Sequence, residues 1–341
     1  MKTTDFNYDL PQELIAQTPV HPRDSSRLLY FNRALDEVSH KHFYDVVDIL
    51  TEGDVLVRNN TRVLPARMFA YTKHGGRVEV LLLKRYNLTD WEVLVKPGKK
   101  AKPGVTLTIN EELSLTVVGY ADEESGSRKV SFNFDGVFED IISRVGEMPL
   151  PPYITEKLKD QERYQTVYSK VDGSAAAPTA GLHFTEELFD KLRKKGVIVC
   201  DVLLHVGLGT FRPVKAEDIT DHHMHSEYYE ISEETANIIN KAKSEGRRVI
   251  AVGTTSIRTL ESVSDDSGFV KAQKGNTEIF LYPPYKFKCV DGCITNFHLP
   301  MSTLIMLISC FSSREKILSV YEIAVKERYR FFSFGDAMLI L

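Results

Sequence analysis

The sequence predicts a mixed α/β protein in which a larger α/β domain of barrel-like character carries an inserted, small all-β barrel. Two features of the 341-residue chain lead to this prediction. After residue 147, helix and strand patterns alternate, which is typical of an α/β fold. Between residues 70 and 146, short strands follow one another with turn residues between them, which favours a β-barrel or sandwich. We therefore expect residues 1–69 and 147–341 to form one discontinuous domain and residues 70–146 to form the inserted one.

The composition is that of an ordinary globular protein of about two domains. The longest apolar run, Leu304–Phe311, is far too short to cross a membrane, and the first residues lack the pattern of a signal peptide. Four cysteines indicate no disulfide framework and fit a reducing compartment, so we expect a cytoplasmic protein. The net charge of −4 argues against a protein that coats nucleic acid, although a local basic patch could still dock it.

Before the inserted domain, Leu10–Gln17 predicts the start of a helix because Pro11 lies near its first turn. Asp54–Arg67 predicts two strands joined by a polar turn at Asn59-Asn60. The inserted domain contains five segments rich in Val, Leu, Thr and aromatic side chains, which predict strands: RVEVLLL, WEVLVK, VTLTI, LSLTVVGY and KVSFNF.

Helices and strands alternate through the C-terminal half. Thr185–Gly196 predicts a helix, since a Thr cap and two acids begin it and three bases and a Gly end it. Residues 197–211 read as an apolar strand that runs into a Gly-rich turn. Ser232–Gly246 predicts a second capped helix. Residues 247–263 and 293–311 each repeat the order strand, turn and helix.

Three of these strands stop at polar or Gly-rich turns: His205–Thr210, Gly253–Arg258 and Asn296–Pro300. In α/β folds, ligands bind beyond the carboxyl ends of strands, where backbone amides and helix N-termini face the crevice. We therefore expect the three turns to converge on one pocket. The stretch GSAAAPTAGLHFT, at Gly173–Thr185, supplies a fourth segment in which small residues precede His183.

His183 lies just before a helix N-terminus, where positive charge is disfavoured. Its ring should therefore stay neutral near pH 7, which suits a base or a hydrogen-bond acceptor. The small residues before it would let backbone approach a ligand closely. The alternative is a tightly packed turn with a structural histidine. Gly253–Ser256 with Arg258 could likewise hold a phosphate or carboxylate, or could be a plain helix cap.

Two polar clusters have alternative interpretations. Asp221–Glu227 contains His222, His223 and His225, which could bind a metal, but no HExxH pattern accompanies them. We favour a solvated entry to the strand that follows. The basic run Lys96–Lys102 is either a solvated turn or a contact to nucleic-acid phosphates.

Longer motifs run through the chain in one order, and together they resemble the S-adenosylmethionine:tRNA ribosyltransferase-isomerase family of queuosine biosynthesis. The resemblance covers essentially the whole chain and rests on segments such as FNYDLPQELIAQTPVHPRDSSRLL, NNTRVLPAR, RYQTVYSKVDGSAAAPTAGLHFT, LLHVGLGTFRPV, HMHSEYYEI, RRVIAVGTTSIRTLES, YPPYKFKCVDGCITNFHLP and YRFFSFGDAMLI.

The resemblance implies an enzyme that moves the ribosyl group of S-adenosylmethionine onto 7-aminomethyl-7-deazaguanine at the wobble position of tRNA. The ribose is isomerised on the way, which gives epoxyqueuosine and releases adenine and methionine. The implied tRNAs carry G-U-N anticodons, those for Asp, Asn, His and Tyr. S-adenosylmethionine is the cosubstrate, and no metal or further cofactor is expected. We expect a monomer whose larger α/β domain is catalytic.

Site residues follow from the resemblance and from the turns. For proton transfer we predict His183 first, with His205 and His298 as the other candidates. Substrate binding is assigned to Gly173, Ser174, Thr179, Gly181, Gly207, Gly209, Thr210, Gly253, Thr254, Thr255, Ser256, Arg258, Asn296, Tyr282 and Tyr285, with Phe287 as a further aromatic candidate. Contacts to tRNA are assigned to Arg23, Arg27, Arg62, Arg67, Lys96, Lys99 and Lys100. Core packing is the alternative for the aromatic residues, and surface ion pairs are the alternative for the arginines.

Two positions depart from the family pattern: Asn60 stands where Asp is common, and Met301 where a polar or basic residue is usual. Two other functions stay open at this point. One is a non-catalytic RNA-binding module that uses the barrel. The other is a metal-dependent hydrolase built on the histidines of Asp221–Glu227.

Overall fold

The structure, a computed structural model, describes residues 1–122, 126–156, 158, 160–207 and 214–341. The chain divides into two compact units. The larger unit comprises Met1–Arg62, Pro151–Val171 and Ala177–Leu341, and the smaller one comprises Val63–Leu150 and Asp172–Ala176.

The strands of the described residues are β1 (Arg27–Asn32), β2 (Glu37–His42), β3 (Val55–Asn59), β4 (Thr61–Val63), β5 (Arg67–Tyr71), β6 (Arg77–Arg85), β7 (Asp90–Lys96), β8 (Thr106–Thr108), β9 (Leu113–Asp122), β10 (Ser127–Phe134), β11 (Val171–Ser174), β12 (Ile198–Leu204), β13 (Glu227–Ile231), β14 (Val249–Val252), β15 (Gln273–Thr277), β16 (Gly292–Asn296) and β17 (Ala337–Ile340). The helices are α1 (Val46–Ile49), α2 (Phe138–Val145), α3 (Glu186–Lys194), α4 (Glu233–Ser244), α5 (Gly253–Val263), α6 (Thr303–Ser309) and α7 (Arg314–Lys326).

The larger unit is built on a nine-stranded mixed sheet with the order β15-β13-β12-β3-β14-β16-β17-β1-β2. Its centre is parallel, because β12 and β14 flank β3 and β14 in turn pairs with β16 in the same direction. The carboxyl ends of these four strands therefore lie along one edge of the sheet. β3 is buried at every position, as expected for a central strand covered on both faces.

The capped helices predicted from the sequence are confirmed. Thr185 accepts a hydrogen bond from the Leu188 amide at 3.1 Å at the start of α3, and Ser232 accepts one from Thr235 at the start of α4. On one face of the sheet, Phe184, Leu188 and Phe189 pack in a cluster of buried residues with strand side chains such as Leu56, Ile250 and Ile294. The turn that carries His183 is thereby fixed against that face.

The helix predicted at Leu10–Gln17 is wrong, because the structure has only a single 3₁₀ turn there, Gln12–Leu14. The chain becomes extended at Ile15, and backbone hydrogen bonds then tie it to Phe331: Phe331 N–H donates to Leu14 at 2.8 Å, and Ala16 N–H donates to Phe331 at 3.1 Å. Pairing with a distant segment has overridden the local helix signal.

The smaller unit contains a closed antiparallel barrel with the strand order β10-β7-β6-β5-β8-β9. Alternate residues of its strands fill the interior; Val78, Val80 and Leu82 of β6 are buried, together with Trp91 and Val93 of β7. The prediction of a mixed α/β protein that carries a small β-barrel is confirmed.

Candidate functional site

The parallel strands of the larger unit bring several predicted segments to one edge of the sheet. His205 follows β12, Gly253 follows β14, and Asn296 ends β16. Gly253 adopts a φ of +81°, and a Cβ added to it would lie 3.5 Å from the Cβ of Ala180, so the turn before α3 lies against the start of α5. Four segments that are far apart in the sequence therefore meet along the ends of neighbouring strands.

His183 lies beside Asn296 at this edge and is almost fully buried, with 4% of its surface exposed. Its Nδ1 lies 2.8 Å from Ser26 Oγ, and its Nε2 lies 3.1 Å from Asn296 Nδ2. The Thr179 hydroxyl donates to Asn296 Oδ1 at 2.9 Å, which turns the amide NH₂ toward the ring. In this arrangement Nε2 accepts, so the proton of the neutral imidazole is on Nδ1 and is donated to Ser26. Phe43 stacks on the ring at 4.9 Å.

The neutral state of His183 has a physical cause that differs from the predicted one. Burial is the main factor that lowers its pKa, to about 4; the nearby charges of Arg330, Arg163 and Arg23 lower it further, and Asp336 acts in the opposite direction. The sequence interpretation relied on the helix N-terminus instead. A neutral ring at pH 7 follows in either case.

A cleft opens beside His183. Arg23 and Arg163 line it together with Leu182, Ser333 and Phe334, and we call it the His183 cleft. Arg23 was predicted as a contact to tRNA, whereas Arg163 was not predicted. Arg163 lies in a 3₁₀ turn, Gln161–Tyr164, and carries no local signal that would single it out.

Glu227 is a second residue that the sequence interpretation missed. It forms a buried ion pair with Arg258, and the two side chains are only 3% and 5% exposed. Its Oε1 also accepts from the Gly207 amide at 2.8 Å. The carboxylate on β13 thus links the turn after β12 to helix α5. Arg258, predicted as a counter-ion for a ligand, has a protein carboxylate as its partner.

His205 lies at the same edge and is half-buried. Its Nδ1 is 2.9 Å from the Thr61 hydroxyl, and Tyr228 stacks on its ring at 5.9 Å. Asn59, the last residue of β3, is hydrogen-bonded to the backbone of Leu204 at the end of β12. Its Nδ2 donates to the Leu204 carbonyl at 2.9 Å, and its Oδ1 accepts from the Leu204 amide at 3.1 Å. The predicted residues Gly209 and Thr210 lie outside the described part of the chain.

His298 occupies a separate environment. Its Nε2 is 2.8 Å from the Thr295 hydroxyl, its backbone carbonyl accepts from Tyr8, and its amide donates to Tyr321 at 3.2 Å. Because consecutive residues of a strand point to opposite faces, Thr295 and Asn296 direct their side chains apart. Burial lowers the pKa of His298 to about 3. His183 and His298 therefore have different partners despite their shared connection to β16.

The three polar residues at the start of α5 differ in their hydrogen bonding and burial. Ser256 Oγ donates to the Val252 carbonyl at 2.8 Å, which is an internal helix contact. The Thr255 hydroxyl is buried and finds no hydrogen-bond partner among the residues described. Thr254 is half-buried.

Gly181, two residues before His183, is explained by packing. A Cβ added to Gly181 would lie 2.0 Å from the Tyr168 hydroxyl oxygen and 2.8 Å from Thr166 Cγ2, so only Gly fits there. Gly173 and Ser174 belong to the smaller unit, where Ser174 Oγ donates to Ala176 at 2.7 Å.

The predicted aromatic residues lie near α5 and α6. The Tyr285 hydroxyl donates to Glu261 at 2.9 Å, and Phe287 packs on Phe311 at 4.3 Å. Burial and Glu261 raise the pKa of Tyr285. Tyr282 packs on Phe280 at 4.8 Å.

The predicted tRNA contacts differ in how they are held. Arg62 and Arg67 form ion pairs with Glu162 at 2.5 Å and Glu79 at 3.1 Å. Arg27 lies over the Tyr329 ring at 3.7 Å. Three lysines of the smaller unit take part in no ion pair within the described ranges: Lys96, Lys99 and Lys100.

The described residues contain no group of three or more His, Cys, Asp or Glu side chains that could hold a metal ion. The histidines of Asp221–Glu227 therefore give the hydrolase alternative no support. In the same part of the chain, no helix combines the length and the apolar character needed to cross a membrane.

A sequence model of the family described as "Queuosine biosynthesis protein" matches residues 3–340. The chain belongs to this family. The resemblance carried by the sequence motifs is thereby confirmed.

Three relatives named S-adenosylmethionine:tRNA ribosyltransferase-isomerase match over 100% of both chains: those of Acetivibrio thermocellus at 59% identity, Carboxydothermus hydrogenoformans at 57% and Clostridioides difficile at 57%. A crystal structure of an S-adenosylmethionine tRNA ribosyltransferase from Thermotoga maritima is similar with a TM-score of 0.56 and 37% identity. That match covers 99% of this chain and 100% of the other.

The two departures from the family pattern lie in different surroundings. Asn60 follows β3 at the candidate site, where its Oδ1 is buried and has no hydrogen-bond partner among described residues. Met301 has a φ of +56° and is 38% exposed, and its amide donates to Phe6 at 3.0 Å.

Proposed function

We propose that this chain transfers and isomerises the ribosyl moiety of S-adenosylmethionine onto 7-aminomethyl-7-deazaguanine at the wobble position of tRNA. The products are epoxyqueuosine-tRNA, adenine and methionine. The observation that carries the proposal is identity of 57–59%, over the full length, to proteins named for this activity. Its substrates would be tRNAs with G-U-N anticodons, and it would act as a cytoplasmic monomer without a metal.

The proposed chemistry begins at the cosubstrate. The sulfonium acidifies the C5′ hydrogens of the ribose, and a base removes one of them. Adenine then departs, the aminomethyl nitrogen joins the sugar skeleton, and methionine leaves last. A positioned base contributes about 10²–10⁴-fold, whereas holding two substrates in register can contribute about 7–11 kcal/mol. Positioning of the two substrates should therefore dominate the rate.

Within this proposal His183 is the leading candidate for proton transfer. Its ring is neutral at pH 7, and the Asn296 amide holds Nε2 in the acceptor state. It also lines the His183 cleft. His205 is the second candidate, at the same edge of the sheet. We propose a structural role for His298, since it is enclosed with Thr295 and Tyr321.

The reaction class can be tested with S-adenosylmethionine labelled in the ribose and a tRNA that bears the aminomethyl base. We expect free adenine to appear and the label to stay on the tRNA. The same tRNA with an unmodified guanine is the control and should release no adenine. RNA binding without adenine release would favour the binding-module alternative and overturn the proposal.

The histidine roles need a separate comparison. His183→Ala should reduce adenine release by about 10²-fold or more if the ring is the base. His298→Ala should instead lower the thermal midpoint, with turnover retained in the folded fraction. Wild-type turnover in His183→Ala would remove His183 from the chemistry.

A further inference from the structure

Arg23 and Arg163 present two positive charges to the His183 cleft. The Asp160 carboxylate acts on both of them from beyond ion-pair distance. Both side chains are half-buried. Neither forms an ion pair with any residue that the structure describes. Removing part of a charged side chain from water costs free energy, which an opposite charge nearby would offset.

Among the described residues, backbone carbonyls are the hydrogen-bond acceptors of the two guanidinium groups. Arg23 donates to the carbonyls of Gln165 at 2.8 Å, Glu162 at 3.1 Å and Leu182 at 3.4 Å. Arg163 donates to the carbonyl of Val20 at 2.6 Å. These bonds fix the position of each guanidinium but carry no net negative charge. The side chain of Glu162 is engaged elsewhere, in its ion pair with Arg62.

The two guanidinium groups are also close enough to repel each other. Burial is the main cause that lowers the pKa of Arg23, to about 10, and the charge of Arg163 is the next, whereas Asp160 and Glu162 act in the opposite direction. The fold thus keeps two like charges together in one cleft. A bound oxyanion would remove the repulsion, since guanidinium groups bind carboxylates and phosphates through paired, charge-assisted hydrogen bonds.

We propose that Arg23 and Arg163 form an oxyanion subsite beside His183, which binds a negatively charged group of one of the two substrates. The inference rests on the proposed function for the identity of those substrates. Two groups have the required chemistry: the carboxylate of the methionine part of S-adenosylmethionine, and a phosphate of the tRNA. Either one would place its substrate next to His183.

The test compares Arg163→Gln, Arg163→Lys and Arg23→Gln with Arg193→Gln, a matched control on the exposed face of α3. A charge-assisted hydrogen bond contributes about 1.5–3 kcal/mol, which corresponds to a rise of roughly 10- to 150-fold in the KM of the substrate that carries the anion. Arg163→Lys should recover part of this loss because it keeps the charge. Arg193→Gln should leave both KM values unchanged.

A cosubstrate analogue with hydrogen in place of the methionine carboxylate distinguishes the two sources. If the carboxylate is the ligand, the wild-type enzyme should lose at least as much with the analogue as Arg163→Gln loses with S-adenosylmethionine. Arg163→Gln should lose less with the analogue than the wild type does, because only Arg23 is then left to bind the carboxylate. If a phosphate is the ligand, the KM for tRNA should rise instead, and its logarithmic dependence on salt should become shallower by about one unit of slope.

The proposal is overturned if folded Arg163→Gln and Arg163→Lys both match Arg193→Gln in the KM for each substrate. Circular dichroism at the assay temperature verifies that the variants are folded, and Arg163 has one backbone contact to lose against three for Arg23. Absence of adenine release by the wild-type chain is a different result, since it would contradict the proposed function and not the subsite.

Discussion

His183 should make the stability of the larger unit depend on pH, and this can be measured independently of the reaction. Burial and the charges of Arg330, Arg163 and Arg23 lower the pKa of His183 from 6.5 to about 4, against the opposing charge of Asp336. The unfolded chain therefore binds a proton as the pH falls below about 6.5, whereas the folded ring stays neutral until about pH 4. The folded state loses stability as the pH falls through this window and keeps it above.

The magnitude follows from the two pKa values. A change from 6.5 to about 4 is worth about 3 kcal/mol in full, of which about 2 kcal/mol develops between pH 7 and pH 5. His183→Gln removes the titrating group and leaves an amide in its place. We expect this variant to be less stable than the wild type at pH 7, because the stacking on Phe43 is lost. Its free energy of unfolding should nevertheless fall by about 2 kcal/mol less than that of the wild type between pH 7 and pH 5.

Urea unfolding at both pH values, followed by circular dichroism, measures this difference. The single tryptophan, Trp91, belongs to the smaller unit and would not report on the larger one. His42→Gln, at an exposed position of β2, is the control and should keep the wild-type dependence on pH. A His183→Gln variant that loses as much stability as the wild type between pH 7 and pH 5 would refute the argument.

Three further outcomes are expected. Gly181→Ala should destabilise the fold by about 1–3 kcal/mol through overpacking, as measured by urea unfolding. Adding Tyr168→Phe should recover part of this loss, because it removes the hydroxyl that would lie 2.0 Å from the new Cβ. No recovery would contradict that contact. Glu227→Gln should lower the free energy of unfolding by about 3–5 kcal/mol, because the charge of Arg258 is then buried without a partner. An unchanged midpoint of urea unfolding would show that the pair is not buried in solution. The KM for tRNA should rise steeply with salt, and a flat response would contradict docking through phosphates.

The strand-end rule accounts for most of what the sequence predicted about the site. His205, Gly253 and Asn296 each follow or end a strand of the parallel centre, so that the sequence order of strands and turns was enough to group them. The same rule groups Asn296 with His298, since both lie at the carboxyl end of β16. It does not show that the two have different surroundings. Alternation along the strand directs Asn296, which contacts His183, and Thr295, which contacts His298, to opposite faces.

The strand-end rule could not predict the hydrogen-bond and ion-pair partners of these residues. Ser26 reaches His183 across 157 positions of sequence, and Glu227 reaches Arg258 across 31. Such contacts depend on how β1 and β13 are placed in the sheet. A lone Ser or Glu carries no pattern that reveals this, and Arg163 lies in a short 3₁₀ turn without periodicity.

The small residues before His183 have a consequence for where substrate contacts must originate. Gly181 is small because Tyr168 occupies the space of its Cβ, and Ala180 lies against Gly253 at the start of α5. The turn is therefore packed between other parts of the larger unit, and that packing is what holds the His183 ring against Asn296. Because the space beside Gly181 and Ala180 is filled by protein, we expect contacts to a substrate at this turn to come from longer side chains on neighbouring segments. Arg23 and Arg163 are two long, charged side chains that line the His183 cleft.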